Sequence, residues 1–246
     1  YGSCSVTNAS GVATCTLTPL VAESKTLAIA TPVIKADGLV VFTADAPVAA
    51  TSTITGTSPV VANGVATSTV TITLKDASNN SVSGQTPTFS ATDTGATNNY
   101  GSCSVSDASG ISTCALTSLS AETKTLSIVA PVSKSDGTVV FTAGAPVAVN
   151  SSITGTSPVV ANGVITLKDT NNNPVSGQTP TFSATDTSST NNYGSCSTTN
   201  ASGVATCTLT SLVAETKTLS ISTPVSKSDG SVVFTAGAAV AANSTI

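Results

Sequence analysis

The chain has 246 residues, of which 8% are charged and 3% aromatic, and it contains no His, Met, Trp or Arg. Apolar residues make up 39% of the sequence and alternate with Ser and Thr, which excludes a disordered polar chain. The net charge is -4 and the lysines are scattered singly, so no basic surface is present for nucleic acid or anionic lipid. No apolar run reaches the ~18 residues of a membrane-spanning helix, so we expect no membrane span in this segment.

The sequence is a tandem repeat. Residues 51–65 return almost unchanged at 150–164, and Tyr-Gly-Ser-Cys begins at Tyr1, Tyr100 and Tyr193. A period just under ~100 residues indicates one small domain copied along the chain. We therefore divide the chain into a half-repeat at 1–49, a complete repeat at 50–148 (repeat 2), a complete repeat at 149–241 (repeat 3) and the start of a further copy at 242–246.

Within repeat 2, turn-forming residues separate about seven extended stretches, and none of these has a helical period. About seven short strands in ~100 residues predict an all-β sandwich. The predicted strands lie near 52–61, 65–74, 84–91, 101–106, 111–118, 123–129 and 138–143, and the predicted turns at 62–64, 76–80, 92–99, 107–110 and 135–137.

Alternation within the strands predicts which side chains face the core. In the second strand of repeat 2, aliphatic residues alternate with threonines, so the aliphatic set points inward. Glu122 and Lys124 lie two apart on a strand, and we expect an exposed pair worth less than about 1 kcal/mol. The predicted core of repeat 2 is Val70, Ile72, Leu74, Phe89, Leu116, Leu126, Ile128, Val139 and Phe141.

The cysteines recur in pairs at the same place in each repeat. Cys103 and Cys114 are equally distant from the centre of the Asp107–Gly110 turn, so they oppose each other across a hairpin, close enough for a disulfide. An even number of cysteines at fixed spacing favours one disulfide per repeat and an oxidising compartment, and the absence of histidine disfavours zinc. The predicted pairs are Cys4 with Cys15, Cys103 with Cys114, and Cys196 with Cys207.

The two complete repeats differ in length after the Asn-Gly-Val segment. Asn63 to Asp76 spans 14 residues, whereas Asn162 to Asp169 spans eight, so an alignment places a six-residue gap after Val164. An even-numbered gap keeps the remaining side chains on their faces but removes about 20 Å of strand. We expect this loss to be strongly destabilising, so either a neighbouring segment fills the gap or the six residues are missing from the sequence.

Repeat 2 contains Gly-Gln-Thr-Pro-Thr-Phe-Ser after a turn, an Asp-Ala-Ser-Gly turn before a Leu-Thr strand, and Val-Val-Phe-Thr-Ala near the end. In these segments it resembles the bacterial immunoglobulin-like repeat of the invasin and intimin type. The matching positions are Asn79, Val82, Gly84, Gln85, Phe89, Asp107, Gly110 and Leu116 in repeat 2, and Asn172, Val175, Gly177, Gln178, Phe182, Gly203 and Leu209 in repeat 3.

The resemblance implies tandem immunoglobulin-like β-sandwiches of the kind that form the extracellular stalks of adhesins. Two features depart from the family: its members do not generally have the hairpin cysteines, and the lectin-like cap of invasin and intimin has no counterpart in this sequence. Receptor binding therefore does not transfer, and we expect any receptor to contact regions outside this sequence.

The sequence contains no recognisable catalytic constellation. It has no histidine to act as a base, no recurring carboxylate pair, no nucleophile elbow and no phosphate-binding loop, so we predict that the protein is not an enzyme. Asp76, Asp93 and Asp136 lie in predicted loops at the ends of the sandwich, where they could bind calcium. The competing interpretation is that each is a turn former. No other cofactor is predicted.

These observations favour an extracellular stalk or filament module of a bacterial surface adhesin. The chain begins in mid-repeat without Met, so we expect it to be part of a longer secreted protein. The alternative is a subunit of a self-assembling filament or phage fibre, in which identical chains complete the half-repeat with their strands. The expected partners are other repeats of the same protein, with identical chains added in the alternative.

Overall fold

The computed structural model describes residues 1–156 and 161–238, and every regular element in these residues is a β-strand. The all-β prediction is therefore confirmed. In the half-repeat, β1 (Ser24–Ile29) and β2 (Lys35–Val41) form a two-stranded antiparallel sheet. Residues 242–246, expected to begin a further copy, lie outside the described residues.

Repeat 2 contains two four-stranded sheets that enclose one core. Their strand orders are β3-β5-β8-β7 and β4-β10-β9-β6, and only the β4–β10 pair is parallel among the strand pairs of this repeat. The strands are β3 (Thr53–Gly56), β4 (Val60–Val61), β5 (Ser68–Thr73), β6 (Thr88–Ala91), β7 (Asn98–Tyr100), β8 (Ile111–Ser118), β9 (Thr123–Ala130) and β10 (Lys134–Thr142).

Repeat 3 follows the same succession of strands in its described residues. Its sheets have the orders β11-β12-β15-β14 and β13-β16-β17. Residues 157–160, whose sequence matches the β4 region of repeat 2, lie outside the described residues. The strands are β11 (Ser152–Thr156), β12 (Ala161–Thr166), β13 (Thr181–Ala184), β14 (Asn191–Tyr193), β15 (Val204–Ser211), β16 (Thr216–Thr223) and β17 (Lys227–Val233).

The predicted core of repeat 2 is buried between its two sheets. Val70, Ile72 and Leu74 are fully buried, while the intervening threonines lie on the other face, as the alternation predicts. Phe89 is only half-buried and packs edge-on against the Tyr100 ring, with 5.3 Å between ring centroids. The other predicted core residues, Leu116, Leu126, Ile128, Val139 and Phe141, are buried.

Several of the predicted elements of repeat 2 were wrong in whole or in part. Residues 98–99, expected in the loop 92–99, belong to β7. Residues 101–106 are irregular although Gly101 and Ser104 still donate to Ala115 O and Thr113 O of β8, because the Ser106 N–H donates to Gln85 O at 2.7 Å. Residues 135–137, predicted as a turn, lie inside β10, where a bulge absorbs the Asp-Gly pair.

Lys124 lies inside the sandwich, which corrects the expectation of an exposed pair. Its side chain is 0% exposed, and Nζ donates to Glu122 Oε1 and, at 3.3 Å, to the carbonyl of Thr92. The carboxylate oxygen Oδ1 of Asp93 lies 3.8 Å from Nζ, and the Phe141 ring centroid lies 5.9 Å away. The ammonium group is thus compensated by nearby carboxylates and a carbonyl, as a buried charge requires.

Strand alternation explains why this lysine is buried. Lys124 has the same parity as Leu126, which faces the core, so the aliphatic part of its side chain continues the buried row. Lys217 in repeat 3 is likewise 0% exposed and donates to Glu215 and to Thr185 O. Lys25 in the half-repeat is 30% exposed.

The six-residue difference between the repeats falls in a connection and not in a strand, which corrects the expected loss of strand. In repeat 2, residues 62–67 connect β4 to β5. The equivalent strands β5 of repeat 2 and β12 of repeat 3 each have six residues. Ala161 pairs with Leu209 as Ser68 pairs with Leu116, so Ala-Asn-Gly, a turn in repeat 2, is part of the strand in repeat 3. The ladder with the neighbouring strand is therefore retained.

The hairpin disulfides are present in all three copies, as predicted. Cys103 bonds Cys114 with Cα atoms 4.1 Å apart, and Cys114 is 5% exposed and packs in the core. Gly110 closes the hairpin turn at a φ of 75°, a conformation that favours glycine. The other two bonds join Cys4 to Cys15 and Cys196 to Cys207.

Candidate functional site at the junction between repeats

A five-residue loop with the pattern Asp-x-x-Asn-Asn follows the end of one strand in each complete repeat. These loops, Asp76–Asn80 and Asp169–Asn173, are called the junction loops here. In each loop, Oδ1 of the aspartate accepts the backbone N–H groups of the residues two and four positions later, at 2.8 and 2.9 Å. The fourth residue, Asn79 or Asn172, has a φ of 64° or 63°, which asparagine tolerates. The sequence therefore folds each loop around its own aspartate.

The last asparagine of each junction loop binds the backbone of the preceding repeat. Nδ2 of Asn173 donates to Leu119 O at 2.9 Å, and its Oδ1 accepts the Ala121 N–H at 2.9 Å. Asn80 makes the same pair of bonds to Leu20 O and Ala22 N, both at 2.9 Å. One side-chain amide thus satisfies a donor and an acceptor of the neighbouring repeat at both junctions.

The aspartate of each loop orients this asparagine and also contacts the residues that precede it along the chain. Oδ2 of Asp169 accepts Nδ2 of Asn173 at 3.0 Å and the Gly144 N–H at 2.9 Å. Oδ2 of Asp76 accepts Nδ2 of Asn80 at 2.8 Å and the Asp45 N–H at 3.1 Å. Each carboxylate is therefore surrounded by four N–H donors.

These donors favour the ionised form of both aspartates. The hydrogen bond from the Asn80 side chain is the main reason that the pKa of Asp76 lies below its ordinary value; burial opposes it and backbone N–H groups add to it. At Asp169, burial acts to raise the pKa, but the hydrogen bonds from Asn173, Gly144 and Asn171 outweigh it, so the pKa is lowered. Both residues are only 2% exposed.

The connection between repeats 2 and 3 is short and attached to repeat 3. The chain turns at 148–150 because the Ser151 N–H donates to Val147 O at 3.1 Å. The Val147 N–H in turn donates to Lys168 O at 2.8 Å, and Nδ2 of Asn150 donates to Asp169 O at 2.7 Å. These bonds fix the connection beside the junction loop.

A further bond crosses the junction between repeats 2 and 3. Asn171 of repeat 3 donates from Nδ2 to Ala62 O of repeat 2 at 3.0 Å. Ser78 occupies the equivalent position of the first junction loop, and the half-repeat at 1–49 contains no counterpart of Ala62.

The three aspartates proposed as calcium ligands lie in different environments. Asp76 is enclosed by the N–H donors of its junction loop, and Asp93 accepts the backbone N–H groups of Thr97 and Asn98 at 2.9 Å. Asp136 forms an ion pair with Lys134 at 3.1 Å. Within residues 1–156 and 161–238, no group of three or more Asp, Glu, Cys or His side chains is placed to hold a metal ion. Calcium binding remains an untested prediction.

In the same described part of the chain, no helix is long and apolar enough to cross a membrane. The sequence pattern predicts a turn at 76–80, but it does not predict the contact that the turn makes with the preceding repeat. The available signal was the recurrence of Asn80 as Asn173 at the same distance from the aspartate.

Comparison with known proteins identifies the family of the central segment. Residues 50–144 match the family model of the bacterial Ig-like domain (group 1), so repeat 2 is a bacterial immunoglobulin-like domain. This confirms the family resemblance read from the sequence. No match to a curated protein was found.

The fold is also that of solved adhesin structures. The FdeC adhesin of Escherichia coli superposes with a TM-score of 0.54 at 22% identity, over 81% of this chain and 68% of that one. InvD of Yersinia pseudotuberculosis gives 0.60 at 21% identity, over 80% and 61%. Invasin, described as a bacterial integrin-binding protein, gives 0.59 at 20% identity, over 83% of this chain but only 43% of its own. Sequence identities this low show a shared fold and leave the function to be argued.

Proposed function

We propose that the chain is a non-enzymatic, extracellular stalk module of a bacterial surface adhesin. The hairpin disulfides suit an oxidising location outside the cytoplasm. The fold is one that adhesins use, and the division into repeats at 1–49, 50–148 and 149–241 gives the stalk its units. Its partners in this proposal are the neighbouring repeats, and a receptor is contacted elsewhere in the protein.

The observation that carries this proposal is that equivalent residues make the same junction twice. A flexible tether would leave the repeats free to rotate, whereas Asn80 and Asn173 each fix two backbone atoms of the preceding repeat. Directional bonds at both ends of an asparagine side chain define an orientation as well as a distance. Successive repeats then keep the same relative orientation, which is what a stalk requires.

The topology separates the two contact surfaces of a repeat. In repeat 3 the junction loop follows β12 at the end where Thr166 pairs with Val204, the first residue of β15. On repeat 2, the junction loop binds the segment Leu119–Ala121. The corresponding segment of repeat 3, Leu212–Ala214, follows the last residue of β15. Eight residues of strand separate the two surfaces by about 26 Å at ~3.3 Å per residue. Each repeat therefore adds length to the array.

Small-angle X-ray scattering tests the stalk. Each additional copy should increase the maximum dimension by a constant amount of at least ~25 Å, the length of one such strand. Asn80→Ala with Asn173→Ala should broaden the distribution of distances, because both junctions lose their directional bonds. The matched control is Asn8→Ala, since Asn8 accepts N–H groups of its own turn, from Ser10 and Val12, and lies away from both junctions. A compact, side-by-side arrangement of repeats would contradict the stalk.

A self-assembling filament is the second candidate. In this candidate, strands from an identical chain complete the half-repeat at 1–49 and bury more than about 1,000 Å². Sedimentation over a range of concentrations separates the candidates, because only the filament predicts assemblies that grow with concentration.

A further inference from the structure

The end of repeat 3 opposite its junction loop presents an open groove. Leu212–Ala214 forms one side, Thr235–Gly237 forms the other, and Phe234 lies between them. We call this surface the terminal socket. Leu212 is 92% exposed, and Ala214 and Ala236 are exposed as well.

The equivalent surface of repeat 2 identifies what fits the terminal socket. There, Leu119–Ala121 and Thr142–Gly144 occupy the same places, and the junction loop Asp169–Asn173 lies against them. Ala22 and Ala121, which meet a junction loop, are half-buried, whereas Ala214 is exposed. The same surface is thus seen once with its occupant and once without it.

We propose that the terminal socket binds the Asp-x-x-Asn-Asn junction loop of another repeat of this type. The asparagine amide would bridge Leu212 O and the Ala214 N–H, and the loop aspartate would accept the Gly237 N–H. These are the bonds that Asn173 and Asp169 make to Leu119, Ala121 and Gly144. The inference rests on the proposed stalk function and names the partner of its exposed end.

Recognition through the backbone explains why the surface tolerates sequence change. The segment reads Leu-Val-Ala at Leu20–Ala22, Leu-Ser-Ala at Leu119–Ala121 and Leu-Val-Ala at Leu212–Ala214. The middle residue varies between Val and Ser because the asparagine contacts the carbonyl before it and the N–H after it. The second donor is likewise a backbone N–H, from Asp45 in one junction and Gly144 in the other.

The sequence after the socket also matches the connection that leads into a junction. Ala238–Ile246 reads Ala-Ala-Val-Ala-Ala-Asn-Ser-Thr-Ile, against Ala-Pro-Val-Ala-Val-Asn-Ser-Ser-Ile at Ala145–Ile153. Val147 and Asn150, which bind the next repeat in the observed junction, recur as Val240 and Asn243. A repeat joined after Ile246 would therefore enter at the spacing that the observed junction uses.

The test extends the full chain by a second copy of residues 154–238 directly after Ile246, and compares it with the chain itself. Hydrogen exchange at the Ala214 amide is the readout, and the Ala121 amide of the same chain is the internal reference. In the extended chain, exchange at Ala214 should slow roughly tenfold or more, towards the rate at Ala121. Unchanged exchange at Ala214 would overturn the proposal, even if scattering still showed a rod.

Two variants of the extended chain identify the group responsible. Asn173→Ala in the appended copy should return the Ala214 exchange rate to that of the unextended chain, whereas Asn8→Ala in the half-repeat should not. Slow exchange at amides of the appended copy's core strands checks that each variant folds. If Ala214 stayed protected after Asn173→Ala, the repeats would associate through other contacts, and the proposed loop recognition would be wrong.

Discussion

Repeats 2 and 3 have the same sheets but reach them through different connections. Between β4 and β5, repeat 2 has an extra segment, 62–67, in which Asn63 accepts the N–H groups of Val65 and Ala66. In repeat 3 no such segment precedes β12, and Ala161 stands at the position of Ser68. Repeat 3 therefore keeps the hydrogen-bonded ladder between β12 and β15 and lacks the connecting segment that repeat 2 has at 62–67.

The energetic reason is the cost of an unpaired buried backbone. A shortened β12 would leave N–H and C=O groups of β15 without partners inside the sandwich, at about 1 to 3 kcal/mol for each group. Moving turn residues into the strand avoids that loss and keeps an alternating face. Deletion of an even number of residues makes this possible without reversing the faces.

The shift of Ala161–Gly163 from a turn position into β12, called the β12 shift below, changes the packing of repeat 3. Gly163 takes the place of Val70, because it pairs with Cys207 as Val70 pairs with Cys114. Val70 is fully buried in repeat 2, whereas glycine contributes no side chain to the core of repeat 3. We therefore expect repeat 3 to be the less stable of the two, although their folds are equivalent.

The largest expected effect tests a feature that the repeats share. Lys124→Ala and Lys217→Ala should each destabilise their own repeat by about 3 to 5 kcal/mol, since each removes a buried cation and its aliphatic packing. Denaturant unfolding of the full chain, with hydrogen exchange followed separately in each repeat, measures the change. Lys25→Ala is the control: its ion pair with Glu23 is partly exposed and should contribute less than about 1 kcal/mol.

Unequal losses of unfolding free energy for Lys124→Ala and Lys217→Ala would contradict the equivalence of the two repeats. They would show that the β12 shift also changes the opposite sheet. Losses near zero at both positions would mean that the buried ion pairs are replaceable by water or by relaxation of the loops.

A second prediction concerns a variant of repeat 2 that has glycine where repeat 3 has Gly163. Val70→Gly should cost about 2 to 3 kcal/mol through lost burial, a cavity and the backbone entropy of glycine. The same exchange measurement should then show similar stabilities for the two repeats. Thr71→Ala, on the outward face, is the matched control and should change the free energy of unfolding by less than about 0.5 kcal/mol. A loss below that of the control would show that Val70 does not account for the difference.

Much of the fold could be predicted from the sequence because alternation reports burial directly. It placed Val70, Ile72 and Leu74 in the core, and the hairpin symmetry gave the pairing of Cys103 with Cys114. For Lys124, residue type predicts exposure whereas parity predicts burial, and the side chain follows parity. The alternation that buries Leu126 applies to its neighbour two positions away whatever its charge.

The junction and the position of the gap could not be predicted in the same way. Alignment matches letters, so it paired Ala-Asn-Gly in the two repeats, whereas pairing energy follows the ladder of β8 and β15. The contact of Asn173 with Leu119 and Ala121 joins residues more than fifty positions apart across two repeats. No local pattern encodes such a contact, and only its recurrence at Asn80 could have suggested it.

A third prediction concerns the junctions that precede repeats 2 and 3, and how they respond as the pH falls. The pKa values of Asp76 and Asp169 are depressed in the folded chain, so their contribution is present above the unfolded value of about 3.9 and is lost as pH falls through the folded value. The Ala22 and Ala121 amide resonances should shift in that range. The global fold, followed by the resonances of buried amides such as Val70, should persist to lower pH than the junctions. Amide shifts that begin well above pH 4 would indicate another titrating group.

The smallest expected effect is a gain in the stability of repeat 3, and it tests the β12 shift. A Cβ at Gly163 would lie 3.8 Å from Cβ of Cys207 and 3.9 Å from the Phe182 ring, which are ordinary contact distances. Gly163→Ala should therefore fill part of the space left by the missing valine and stabilise repeat 3 by about 0.5 to 1 kcal/mol. Hydrogen exchange in β12 and β15 measures the gain, and Gly177→Ala, at a φ of 77°, should instead destabilise the repeat. If Gly163→Ala were destabilising, Gly163 would not face the core, and the register that places it at the position of Val70 would be wrong.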